Sequence, residues 1–305
     1  MRVRYLPAFP VKFVETLSNA LLALLDAAWR QFDVLLVFNS ANSPLLLIPK
    51  LFGKRVVLHA DGLEWMRGKW GPWGKRYYRW AEKVATKLAP TMIADSKAIQ
   101  RYYEGRYGKE THYVSYGAEI RTSKDRAILN RYGLEQAGYF LQITRFEPEN
   151  NTLLLVRAFE KLDTDKKLVL VGGAKYPTAY SDEVHDAKDP RVKFLGFIYD
   201  RPILDELLCN CYAYIHGNEV GGTNPALLEA MAAACFILTR AVPFNREVLA
   251  DAGRFFTKDV DDLAAHLRWT LDHEAELPTF RKAVQEIIRS RYDWDRVVEA
   301  YERLF

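Results

Sequence analysis

CYAYIHGNEVGGTNPALLEAMAAACFILTR, residues 211–240, decides how this chain folds. Its first run, CYAYIHG, is apolar, short and closed by glycine, the pattern of a buried strand. Its last run, FILTR, has the same character. Between them a turn of small residues leads into LLEAMAAA, a stretch of good helix formers. Asn224 supplies an N-cap oxygen. Pro225 follows at the first helical position, where a missing N–H costs nothing, so the helix starts there. Strand, helix and strand in such close succession make one parallel βαβ crossover.

The same alternation extends outward in both directions. In the first half, RVRYLP (2–7), DVLLVFN (33–39), RVVLHAD (55–61), TMIADS (91–96) and THYVSYG (111–117) read as strands. Helical patterns lie between them near 12–31, 43–52, 73–88 and 96–107. In the second half the strands are YFLQIT (139–144), KLVLVGG (167–173), VKFLGF (192–197), CYAYIHG, FILTR and GRFF (253–256). Helices fall near 150–162, 200–209, 225–234, 258–271 and 279–290. The polar stretch 118–138 suits a linker. The expected fold is α/β, with two Rossmann-like, doubly wound parallel-sheet domains facing a cleft and ligands at the C-terminal strand ends. The first domain is expected over 1–125 and the second over 126–290, with a helix in 291–305 packing back on the first.

Composition narrows the function. At 305 residues and 49% hydrophobic content the chain can bury two ordinary cores, and a net charge of +4 is too small to imply nucleic acid. Cys209, Cys211 and Cys235 sit in apolar runs and read as reduced, buried thiols of a cytoplasmic protein. The apolar stretch ALLALLDAAW (20–29) is broken by Asp26 and too short to span a bilayer, and no signal peptide is recognisable.

The turn at 221–225 has the chemistry of an anion site. A helix N-terminus offers unpaired N–H groups and partial positive charge, which suit a phosphate. Gly221 and Gly222 remove side chains that would bar a ligand, and Thr223 and Asn224 complete the turn. Glu229, a little over one turn into the helix, is the lone charge in an apolar segment. It either faces solvent or accepts two hydrogen bonds from a ribose diol, since a buried carboxylate needs partners. Arg145, directly after YFLQIT, stands at a strand end where a cation can clamp a diphosphate; the alternative is a surface ion pair with Glu147 or Glu149. Lys175, after KLVLVGG, is a second candidate cation. In RVVLHADGLEW, His59 reads as a core residue. Asp61 reads as a group that binds or activates an acceptor hydroxyl, or as a turn cap.

No metal is expected. The Asp-x-Asp triplets at 163–165, 259–261 and 293–295 read as caps and loops, and the six histidines show no ligand spacing. P-loop, nucleophile-elbow and dinucleotide fingerprints do not occur.

Residues 216–253, with LLEAMA, FILTR and EVLADAG, resemble the donor-nucleotide segment of glycosyltransferase family 4, retaining enzymes of the GT-B fold. GGTNPALLEA together with DGLEWMRGKWG (61–71), IADSKAIQRYY (93–103) and RFEPENN (145–151) resembles a bacterial rhamnosyltransferase branch. The resemblance implies a hexosyl or deoxyhexosyl donor, dTDP-rhamnose in that branch. It also implies a ribose-binding role for Glu229, and a sugar-facing role for Glu219 with His216. Glu219 lies two residues before the position, Gly221, that the family's first glutamate would hold. Asn150 and Asn151 occupy the region where relatives carry a second phosphate-binding lysine. Relatives also begin with a further strand and a glycine-rich loop that this sequence lacks, and MRVRYLP resembles an interior strand of their first domain.

WMRGKWGPWGKRYYRWAEKVATK (65–87) holds four of the seven tryptophans and seven Lys/Arg against one Glu. Interleaved cations and indoles suit an anionic membrane surface; the other reading is a helix with an aromatic core face and a solvated basic face. Nucleic acid is not expected, because no further basic stripe accompanies it. The combined expectation is a cytoplasmic, membrane-peripheral, metal-independent glycosyltransferase. It would move rhamnose from a nucleotide diphosphate to a saccharide, lipid-linked or free, with no cofactor beyond the donor. The alternatives are a non-catalytic sugar-nucleotide-binding subunit and a GT-B-like epimerase.

Overall fold

A computed structural model of the chain describes residues 3–7 and 14–305, with the side chains of 14–16 outside the description. The chain divides into two compact units, residues 1–115 with 299–305, and residues 116–298.

In the first unit the order is α1 (Val14–Ala28), β1 (Val34–Phe38), a 3-10 turn over Ser40–Leu46, α2 (Leu47–Leu51) and β2 (Arg55–His59). A short 3-10 turn at Glu64–Met66 follows, then α3 (Pro72–Leu88), β3 (Thr91–Ala94), α4 (Lys97–Tyr107) and β4 (His112–Tyr113). The four strands are parallel in the order β1-β2-β3-β4. Val56, Val57, Leu58, Met92 and Ile93 are fully buried, as in a sheet covered on both faces. RVRYLP is not a strand: residues 3–7 have no regular secondary structure and are mostly exposed, and residue 2 lies outside the described residues. Its alternation fits a strand, but without a ladder partner its N–H and C=O groups stay with water. THYVSYG pairs only over His112–Tyr113. The part of the first expected helix at 12–13 lies outside the described residues.

The second unit runs β5 (Tyr139–Arg145), α5 (Thr152–Phe159), β6 (Lys167–Gly173), α6 (Ala179–His185), β7 (Val192–Gly196) and α7 (Arg201–Asn210). It continues with β8 (Ala213–His216), α8 (Pro225–Ala232), β9 (Ile237–Arg240), α9 (Pro243–Leu249) and β10 (Arg254–Phe256). The helices α10 (Val260–Asp272) and α11 (Leu277–Arg291) follow, and α12 (Trp294–Glu302) crosses the boundary at 298/299. The sheet order is β10-β9-β8-β5-β6-β7, all parallel. Alternate residues of one strand enter different cores. Phe140, Leu168 and Leu170 face one, and Leu141, Val169 and Val171 face the other. The chain winds outward from β5 through β6 to β7, then returns to place β8 on the other side of β5. The topological switch point therefore lies between β5 and β8, where open α/β sheets bind ligands.

The polar stretch 118–138 is no linker. Its boundary lies earlier, at 115/116, and Ala118, Leu129 and Leu134 enter the core of the second unit. What anchors it is the buried Glu206 of α7. That carboxylate accepts the Ser123 hydroxyl at 2.6 Å, the Asp125 N–H at 2.8 Å and the Lys124 N–H. Such anchoring uses backbone donors and leaves no hydrophobic periodicity to read.

Candidate functional site

The switch point is built from two loops that clamp each other. RFEPENN leaves β5 and the 217–224 turn leaves β8. Asn151 Nδ2 donates to the Gly217 carbonyl at 2.8 Å, Asn150 Nδ2 to the Arg145 carbonyl at 2.8 Å, and the Glu219 N–H to the Glu149 carbonyl at 2.9 Å. The two asparagines are thus backbone clamps, which accounts for amides standing there. Glycine is required at 217 by close approach: a Cβ there would lie 2.1 Å from the Asn150 carbonyl oxygen. Gly221 has φ +150 with open space where a side chain would point.

α8 begins as its sequence implies. Asn224 Oδ1 accepts the Ala226 N–H at 3.0 Å and Pro225 holds the first helical position. Thr223 and Gly222 are buried beneath the turn. Arg145 is exposed at the end of β5. Among the described residues its side chain makes no ion pair or hydrogen bond, with Glu147 and Glu149 included. The register sets Arg145 opposite Gly173, so the exposed Lys175 lies two residues beyond it on the same edge.

The carboxylates are engaged by partners that the sequence reading did not single out. Glu229 receives Arg201 Nη1 at 2.6 Å, and Arg201 also meets Asp205 at 3.1 Å. Glu219 is held by Arg240 Nε at 2.9 Å and Lys258 Nζ at 3.0 Å. Burial pushes its carboxyl up, but the hydrogen bonds from Lys258, Arg240 and Asn151 outweigh that, and the net shift is downward. Glu219 is therefore a fixed anion of the turn. His216 is only 1% exposed, so its ring lies behind the turn and off the open surface. Burial pushes it down to about 3, which keeps it neutral, and its Nε2 has no hydrogen-bond partner among the described residues.

In the first unit, Asp61 opens the loop after β2 in a left-handed conformation, φ +60. Its N–H donates to His59 Nδ1 at 3.2 Å, and its Oδ2 accepts Asn39 Nδ2 at 3.4 Å. His59 is buried, in keeping with a core role, and burial pushes it down to about 4. Burial raises the Asp61 carboxyl, and Glu64 raises it further. The Gly62 N–H, Arg67 and Asn39 pull the other way without reversing the shift. Glu64 in turn is bound by Arg67 and by Trp70 Nε1 at 3.4 Å.

Helix α3 turns Tyr78, Ala81, Glu82 and Ala85 inward. Trp73 at 81% and Trp80 at 51% are exposed, on a surface shared with Arg76, Arg79, Lys83 and Lys87. Among the described residues no helix is long and apolar enough to cross a membrane, and no group of three or more His, Cys, Asp or Glu is placed to hold a metal.

A family model described as glycosyl transferases group 1 matches residues 125–290, more than half of the chain. The chain belongs to that family. A second model, a domain of unknown function (DUF1972), matches residues 46–119. The O-antigen chain mannosyltransferase B of Escherichia coli is 24% identical over 193 residues, covering 58% of this chain and 49% of that protein. The chain thus spans about half the length of this curated relative. Among solved structures, Anabaena HepE in complex with UDP-glucose superposes with a TM-score of 0.80 at 18% identity, covering 95% of this chain and 82% of that one. Sucrose-phosphate synthase from Thermosynechococcus elongatus gives a TM-score of 0.80 at 18% identity, covering 98% and 79%. The two parallel-sheet units of this glycosyl transferases group 1 member are of the GT-B type.

Proposed function

We propose that this chain is a retaining, metal-independent glycosyltransferase that moves a deoxyhexosyl group, rhamnose, from a nucleoside diphosphate to a saccharide in cell-surface polysaccharide synthesis. The observation that carries the reading is at the switch point of the second unit. There a glycine-lined helix N-terminus follows β8, an exposed cation without a counter-ion among the described residues (Arg145) ends the neighbouring β5, and a half-exposed carboxylate (Glu229) lies a little over one turn into the helix. The diphosphate takes the 221–224 turn, Arg145 and Lys175, and its growing charge as a leaving group is stabilised by fixed dipoles and cations. Glu229 takes the ribose diol. Glu219, held by Arg240 and Lys258, shapes the sugar side of the turn with His216 behind it. Asp61 of the first unit binds the acceptor hydroxyl. Support for a sugar nucleotide comes from family membership and from the UDP-glucose bound by HepE. The polysaccharide context agrees with the O-antigen enzyme, and rhamnose rests on the GGTNPALLEA resemblance.

The test is a thermal-shift panel of nucleotide sugars, followed by transfer assays with the best binder. dTDP-rhamnose should give the largest shift and a transferred sugar. Binding without transfer to any saccharide would favour a non-catalytic subunit, and no binding at all would sink the reading. Asn224→Asp sharpens it. Aspartate caps a helix as well as asparagine does, so the melting temperature should hold. Its charge opposes the phosphate, so donor affinity should fall at least tenfold, ~1.4 kcal/mol. Unchanged affinity would refute the phosphate site.

The acceptor is lipid-linked on this proposal, and α3 carries the contact with the inner membrane face. Cations are drawn to anionic headgroups, and Trp73 and Trp80 settle at the interface. Co-sedimentation should require anionic lipid and weaken in salt. Sedimentation indifferent to lipid charge would remove this part of the proposal.

A further inference from the structure

Asn39 lies outside the residues that the two family models match, yet it is joined to Asp61. It follows β1 as Asp61 follows β2, and the parallel register that pairs Phe38 with His59 brings the two to one sheet edge. Both are non-glycine residues in the left-handed region, φ +74 and +60. Strain of this kind persists only where the surroundings enforce it, and it clusters at functional sites. Here the enforcement is visible. Asn39 Oδ1 accepts the Ala41 N–H at 2.9 Å, His59 Nδ1 accepts the Asp61 N–H at 3.2 Å, and Asn39 Nδ2 donates to Asp61 Oδ2 at 3.4 Å.

Resting on the glycosyltransferase reading, we propose that Asn39 is a positioning residue for transfer. Its amide ties one oxygen of the Asp61 carboxylate to the end of β1 and leaves the carboxylate charged for the acceptor hydroxyl. The choice of a neutral amide is the point. A lysine or arginine would also orient Asp61 but would neutralise it and lower its basicity. Arg67, whose charge also acts on Asp61, is bound to Glu64. The groups facing Asp61 from the packed elements are His59 of β2, Glu64 and Arg67 of the following turn, and Tyr78 of α3. His59 stays neutral. Glu64 adds like charge. Asn39 and the Gly62 N–H both donate hydrogen bonds to the carboxylate.

Two variants isolate the amide. Asn39→Gly keeps the left-handed backbone without strain and removes the side chain. Asn39→Asp keeps the cap on Ala41 but replaces the donor with a like charge. The Asp61 carboxyl is followed by carbon-13 NMR titration of the full chain, which needs no turnover. Loss of a hydrogen bond to the charged form raises the titration point, so Asp61 should titrate higher in Asn39→Gly and higher again in Asn39→Asp. The acid limb of the rate profile should move with it. In transfer assays kcat/KM for the acceptor should fall about tenfold or more while donor KM stays put. An Asp61 titration that does not move, or acceptor kcat/KM within twofold of wild type, overturns the proposal. Wild-type protein that binds and transfers no donor would instead overturn the transferase reading, and the titration would still decide whether Asn39 holds Asp61.

Discussion

Arg145→Gln will weaken binding of a nucleoside diphosphate about a hundredfold and leave the melting temperature within about a degree of wild type. Charge-assisted hydrogen bonds to a phosphate are among the stronger polar contacts, ~1.5–3 kcal/mol each, and a hundredfold is ~2.7 kcal/mol. The fold should not notice, because the side chain is exposed and makes no ion pair or hydrogen bond among the described residues. Inorganic pyrophosphate should lose affinity by a similar factor, since the contact is with phosphate and not with the nucleoside. Calorimetric titration of both ligands checks this. A variant that binds pyrophosphate as well as wild type does would move the diphosphate away from the end of β5.

Glu229→Ala should give the complementary pattern, with nucleoside diphosphate affinity down about a hundredfold and pyrophosphate affinity kept. Two hydrogen bonds from a ribose diol to a carboxylate supply that difference. Glu229 is paired with Arg201, and the two side chains are 37% and 36% exposed. Ion pairs that exposed contribute little, ~0–1 kcal/mol, so stability should change by no more than that. Arg201 retains Asp205 as a partner in the variant. Equal losses for the two ligands would mean that Glu229 acts on the turn as a whole and not on the ribose.

Much of this was legible before any coordinates. The β5, β6, β8 and β9 strands are mostly apolar runs because both faces of the sheet are covered, and such runs announce themselves. Asn224-Pro225 marks the start of α8 by local chemistry alone, and the structure places the cap there. Other elements left no such mark. α6 and α9 are seven residues each, too short for a helical period to stand out. Residues 118–138 looked like a linker because the Glu206 carboxylate grips two of their backbone N–H groups and the Ser123 hydroxyl, which leaves no apolar period.

The sequence by itself determined the parallel α/β architecture and the place of the glycine-rich turn before α8, since both follow from propensities and periods that act over a few residues. It also put Arg145 at a strand end. Only the tertiary structure decided which groups those residues meet. Arg240 lies 21 positions from Glu219, Arg201 28 from Glu229, and Asn39 22 from Asp61. Each pairing is made by strands and helices brought side by side in packing. A charge or an amide looks the same in a sequence whether its partner is water or a carboxylate across the sheet edge, so burial and register alone turn those residues into a site.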